Sequence, residues 1–132
     1  MDEDSLKKKT QETAKKLFGK GIKRDPPYLL WKDFDKDLAK EFSKFITGRL
    51  YSRDVFTLPE RQMVACAVLG TLRARDELRL HLNAALNVGC RPKEIAEVMF
   101  QTAVYGGMPA TNQALKTLRS VLEEKGRWPL ND

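Results

Sequence analysis

This sequence predicts an all-α fold, a single domain built as a bundle of about six helices. Apolar residues recur at three- and four-residue intervals through nearly the whole chain, and no stretch alternates apolar with polar residues as a half-buried strand would. Glycines and prolines break the pattern often enough to keep connections short, which favours antiparallel neighbours. With 132 residues, the chain is long enough to bury roughly two-thirds of its unfolded surface.

The first helix is expected from Asp4 to Phe18, with Leu6, Thr10, Thr13, Ala14 and Leu17 along one side and Gly19 and Gly21 as stops. Pro26 and Pro27 enforce a break. A second helix reads from Asp33 to Ile46, its inner stripe being Phe34, Leu38, Phe42, Phe45 and Ile46, and Gly48 closes it. Thr57 and Glu60 have the spacing of a capping box, and Pro59 is tolerated in a first turn where its missing amide hydrogen is not needed. From Met63 to Leu72 the third helix is apolar on all sides, which suits a central helix or one covered by another subunit.

The fourth, Asp76 to Val88, turns Leu78, Leu82, Ala85 and Leu86 inward and ends at Gly89. Pro92 opens the fifth, where Ile95, Val98, Met99 and Ala103 repeat until Gly106 and Gly107 stop it. The sixth runs from Pro109 or Ala110 to about Glu124 on Ala114, Leu118, Val121 and Leu122. The chain shows no usable internal repeat and no low-complexity tract.

Composition narrows the function classes. A hydrophobic fraction of 42% with 32% charged residues describes a globular chain. No apolar run approaches the ~18 residues of a membrane span. Met1 is followed by Asp2, Glu3 and Asp4, the reverse of a basic leader, so a cytoplasmic location is expected and a membrane partner is not. Cys66 and Cys90 are too widely spaced for a CxxC pair and are read as thiols. The net charge of +6 is concentrated in Lys7, Lys8, Lys9, Lys15, Lys16, Lys20 and Lys23. No aromatic residues interleave with these lysines as a base-stacking platform requires, so they read as a solvated helix face, not a nucleic-acid site.

His81 is the only histidine, which removes any multi-histidine metal site; no metal and no cofactor are expected. Glu77 lies one helical turn earlier on the same face, where a carboxylate would favour the imidazolium and orient the ring for proton transfer. The same spacing also describes an ordinary surface pair. Gln101 interrupts an apolar run, Tyr105 follows one turn later, and Gly106 with Gly107 opens backbone amides. Together they could line a polar substrate pocket, or simply be satisfied core groups and a helix stop.

The segments from Glu77 to Gly89 (ELRLHLNAALNVG) and Glu94 to Ala110 (EIAEVMFQTAVYGGMPA) resemble the signature of the carboxymuconolactone decarboxylase family in order and spacing. Upstream, Phe45 to Arg53 and Leu58 to Gln62 are similar to that family's approach to its central helix, so the likeness covers roughly Phe34 to Leu122, with a helical N-terminal extension over about residues 1–25. It implies an alkylhydroperoxidase D-like helical subunit that assembles into a homo-oligomer, commonly a hexamer, with pockets near subunit contacts. It also implies two chemistries.

The redox branch needs a Cys-x-x-Cys ahead of the histidine. Ala74 and Glu77 stand at those positions, and Gln62 stands where a proton-accepting glutamate would fall. A peroxidase working through Cys90, which precedes a helix, stays open as the alternative, as does a non-catalytic basic oligomer. The decarboxylase branch implies an enzyme acting on a small anionic lactone or organic acid. His81 would be the acid, Glu77 its orienting partner, and Gln101, Tyr105, Gly106 and Gly107 would face the developing oxyanion, while Arg73, with Arg75 and Arg79, would attract the substrate's carboxylates. Arg73-Ala74 departs from the Gly-Arg of the family decarboxylases, which bears on pocket shape and substrate.

Overall fold

The computed structural model describes residues 1–22 and 27–131, and among these every regular element is helical. In chain order they are α1 (Glu3–Phe18), α2 (Pro27–Phe34), α3 (Lys36–Ser43), a π-helix (Lys44–Leu50), α4 (Leu58–Thr71), α5 (Arg75–Asn87), α6 (Pro92–Gly106) and α7 (Met108–Glu124). No helix among the described residues is long and apolar enough to cross a membrane.

Local chemistry fixes most boundaries. Asp2 caps α1 by accepting from the Ser5 amide at 2.7 Å, and Lys15 and Lys16 in the last turn complement the helix dipole. At α4 the expected capping box is formed: the Thr57 hydroxyl accepts from the Glu60 amide while the Glu60 carboxylate accepts from the Thr57 amide at 2.8 Å. Pro92 occupies the first turn of α6, and Gly107, at φ 91°, makes the turn into α7.

The segment expected as one helix from Asp33 to Ile46 is three elements. Asp35 adopts an extended backbone and accepts from the Leu38 amide at 3.0 Å, so it ends α2 and caps α3. Gly48 does not close the helix; it is buried inside the π-helix, where α1 crosses. A methyl at Gly48 would collide with the Thr10 hydroxyl and approach Leu6 Cδ1 to 2.9 Å. Only a glycine permits that approach. The expected inner stripe of this region is not inside: Ala39 and Gly48 are buried, whereas Phe34 is 86% exposed and Leu38, Phe42 and Phe45 also face outward. Pro26 lies outside the described residues.

α4 is central, packed against α5, α6 and α7. It meets α5 through Cys66, Leu78 and Leu82, and Ile95, Met99, Leu118, Val121 and Leu122 complete the core. Each fully buried leucine or isoleucine contributes about 1.5–3 kcal/mol of hydrophobic stabilisation. α1 lies across the π-helix and α5, held by Lys44–Glu3 at 3.0 Å and by Asn87, whose amide donates to the Leu17 and Lys20 carbonyls at 2.8 Å.

Candidate active site

Three inward residues of α4, Gln62, Cys66 and Gly70, follow one another at four-residue intervals; Gln62 reaches α5 at His81, and Gly70 lies against Met99 of α6 and Ala114 of α7. At the upstream end Gln62 is fully buried, and its Oε1 lies 2.7 Å from His81 Nδ1. An amide oxygen accepts, so Nδ1 carries the hydrogen and Nε2 keeps its lone pair. The Phe18 ring closes the opposite side edge-on, with centroids 6.0 Å apart and planes at 82°. His81 is therefore partly buried, clamped between α4 and the end of α1.

Burial draws the His81 pKa from 6.5 down to about 4, against the weaker upward pull of the Glu77 carboxylate. This corrects the expectation that Glu77 holds the ring as an imidazolium. Glu77 is exposed, and the group bonded to the ring is Gln62. Gln62 Nε2 is buried with no partner among the described residues, which leaves both of its amide hydrogens unused. Tyr51 stands close to Arg61 and Cys66, its phenol raised above the ordinary range chiefly by burial.

The other candidate residues lie elsewhere. Arg73, at the end of α4, lines a cleft with Gly70 and α7. Gln101 and Tyr105 are exposed on α6, Tyr105 at 81%. Gly106 packs against Thr71, where a methyl would come within 2.7 Å of Thr71 Cγ2, and the Gly107 amide donates to the Ala103 carbonyl at 3.0 Å. The glycine pair thus serves helix packing and a turn, and the Gly107 amide is not open to a ligand. These residues cluster toward the Thr71 end of α4, while Gln62 and His81 mark the other.

Both cysteines are buried. Burial pushes Cys66 up to about 12 and Cys90 up to about 11, and the Cys90 thiol donates to the Pro59 carbonyl at 3.5 Å. At neutral pH neither is a thiolate, so the helix that follows Cys90 does not activate it. Sequence reasoning missed Phe18, which packs edge-on against the histidine, and Asn87, which pins the end of α1 that carries it. It had noted Gln62 only for what it lacks; the available signal was an amide in register with Cys66 and Gly70 on the inward face of an apolar helix.

Comparison with known proteins places the chain in a family. The family model described as "Carboxymuconolactone decarboxylase family" matches residues 36–120. The chain is 35% identical over 97 residues to the 4-carboxymuconolactone decarboxylase of Acinetobacter baylyi (strain ATCC 33305 / BD413 / ADP1), covering 74% of this chain and 72% of that protein. It is also 35% identical over 81 residues to an uncharacterized 15.0 kDa protein in the nqo9-nqo10 intergenic region of Paracoccus denitrificans, covering 59% of this chain and 60% of that protein. The chain belongs to the carboxymuconolactone decarboxylase family and has its alkylhydroperoxidase D-like helical fold.

Proposed function

We propose that this protein is a decarboxylase-type carboxy-lyase acting on a small anionic lactone or organic acid, with His81 transferring the proton. The observation that carries this reading is the buried pairing of His81 Nδ1 with Gln62 Oε1, in a chain similar to a protein named 4-carboxymuconolactone decarboxylase. Gln62 fixes the tautomer, so Nε2 is the ring atom that can take up and deliver a proton.

In the free protein the imidazole is neutral at pH 7. A carboxylate substrate beside Nε2 brings negative charge to a poorly hydrated ring and raises its proton affinity. The carbon–carbon bond to the departing carboxylate then breaks, carbon dioxide leaves, and the electron pair is delocalised toward the lactone carbonyl. His81 delivers its proton to carbon and recovers one from water, so each turnover consumes one solvent proton. Glu77, exposed one turn earlier, supplies the charge that eases this reprotonation. No cofactor is required.

The active form in this reading is a homo-oligomer, with a hexameric ring as the expected assembly. Val64, Val68 and Leu72 form an exposed apolar row on α4, and Phe100 and Val104 continue it on α6. Within one chain Arg73, Gln101, Tyr105, Gly106 and Gly107 are not gathered around His81; they enter the reading as surface that an adjoining subunit brings to it.

The test is ultraviolet detection of 4-carboxymuconolactone turnover. His81→Ala is expected to lower kcat/KM by about 10²- to 10⁴-fold, the range of general acid–base catalysis. Undiminished turnover in that variant would remove His81 from the mechanism.

A further inference from the structure

The aromatic ring that lies on His81 does not come from the part of the chain that matches the family model. That match spans residues 36–120, and Phe18 is the last residue of α1, well before it. α1 is nonetheless firmly seated: Leu6, Thr13 and Leu17 are buried, and the helix crosses the π-helix at Gly48, where a methyl would strike Thr10. The turn that bears Phe18 is fixed on both sides. The side-chain amide of Asn87, on the same helix as His81, donates to the Leu17 and Lys20 carbonyls at 2.8 Å each. Gly21, at φ 71°, then turns the chain away at a point where a side chain would strike Lys125 Nζ.

With its backbone held in this way, the Phe18 ring meets the imidazole at 6.0 Å and 82°. Water is thereby kept from that side of the ring, and burial is the largest influence on its proton affinity. Neighbouring charge does not account for the effect. The Glu77 carboxylate on α5 pulls in the opposite direction. Gln62, reaching in from α4, is neutral, and Lys15, Lys16 and Lys20 near the end of α1 are exposed. Arg79, two residues before His81 and so on the opposite side of α5, is paired with Glu124 of α7.

We propose that Phe18 is a positioning residue supplied to the active site by the N-terminal helix: its ring shuts water off one side of His81 and so keeps the imidazole in the uncharged form whose Nδ1 hydrogen Gln62 holds. Asn87 serves the same end through the backbone on which Phe18 stands. A helix outside the family-matched region thus sets the pH range in which this histidine can accept a proton. That affinity belongs to the free protein, whereas its effect on turnover rests on the decarboxylase reading.

Because His81 is the only histidine, its Cε1 proton gives a single magnetic resonance signal that can be followed with pH in the full chain, with circular dichroism to confirm that each variant is folded. Phe18→Ala is expected to move the titration midpoint upward by at least about one pH unit, toward 6.5. Phe18→Leu, which keeps an apolar cover, should stay near the wild type, and Asn87→Ala should rise by less than Phe18→Ala. In turnover the acid limb of kcat/KM should shift in the same direction, since it reports ionisation in the free enzyme. A wild-type midpoint already at 6.5, an unmoved midpoint in Phe18→Ala, or an equal rise in Phe18→Leu would each overturn the proposal. Should Phe18→Ala fail to fold, an unmoved midpoint in Asn87→Ala overturns it instead. Lost turnover in His81→Ala beside an unmoved midpoint in Phe18→Ala would leave the decarboxylase reading standing and remove this one.

Discussion

At neutral pH the imidazole of His81 is uncharged because burial holds its pKa near 4, while in the unfolded chain it returns to 6.5. Between those values the unfolded chain binds the extra proton, so stability falls as the pH drops from 6.5 and the loss is complete below about 4. A shift of this size corresponds to at most roughly 3 kcal/mol. Urea unfolding at pH 7.5, 5.5 and 4.0 should show that part of the decline in the wild type and not in His81→Gln, because carboxylates titrate alike in both. The histidine itself was legible in the sequence, being the only one. Its partner was not, because helical spacing brings Glu77 onto the same face but cannot show that Gln62 reaches the ring from another helix. The depressed pKa was equally hidden: it depends on Phe18 and α4 excluding water, which is a property of packing.

Among the helices, those that carry both a stop signal and a buried face were readable. The inward residues Leu78, Leu82, Ala85 and Leu86 of α5 and Ala114, Leu118, Val121 and Leu122 of α7 are all buried, as their spacing requires. The α2 helix was missed because none of its residues is buried, and the π-helix was missed because a change of pitch leaves no period to read. Two substitutions separate local from tertiary control. Thr57→Ala removes the capping hydroxyl at α4 and should cost about 1 kcal/mol. Gly48→Ala forces α1 off the π-helix and should cost about 1–3 kcal/mol, as overpacking does. Urea unfolding midpoints check both, and a smaller loss for Gly48→Ala than for Thr57→Ala would show that α1 yields easily.

For the whole molecule, the apolar third helix of the sequence reading proves central on one side and bare on the other. Cys66 and Gly70 are buried, while Val64, Val68 and Leu72 are exposed, as is Val104 on the neighbouring α6 at 79%. If subunits meet on this face, Val68→Asp with Val104→Asp should leave a helical protein that sediments as a monomer while the wild type sediments as an oligomer. Persistence of the oligomer would place the contact elsewhere, with the outward α2 and α3 surface the next face to change. Covering such a face takes more than one chain, so mass action enters the folding equilibrium. Dilution alone would then loosen the protein, and its melting temperature would climb with concentration, a dependence that an isolated folded subunit does not have.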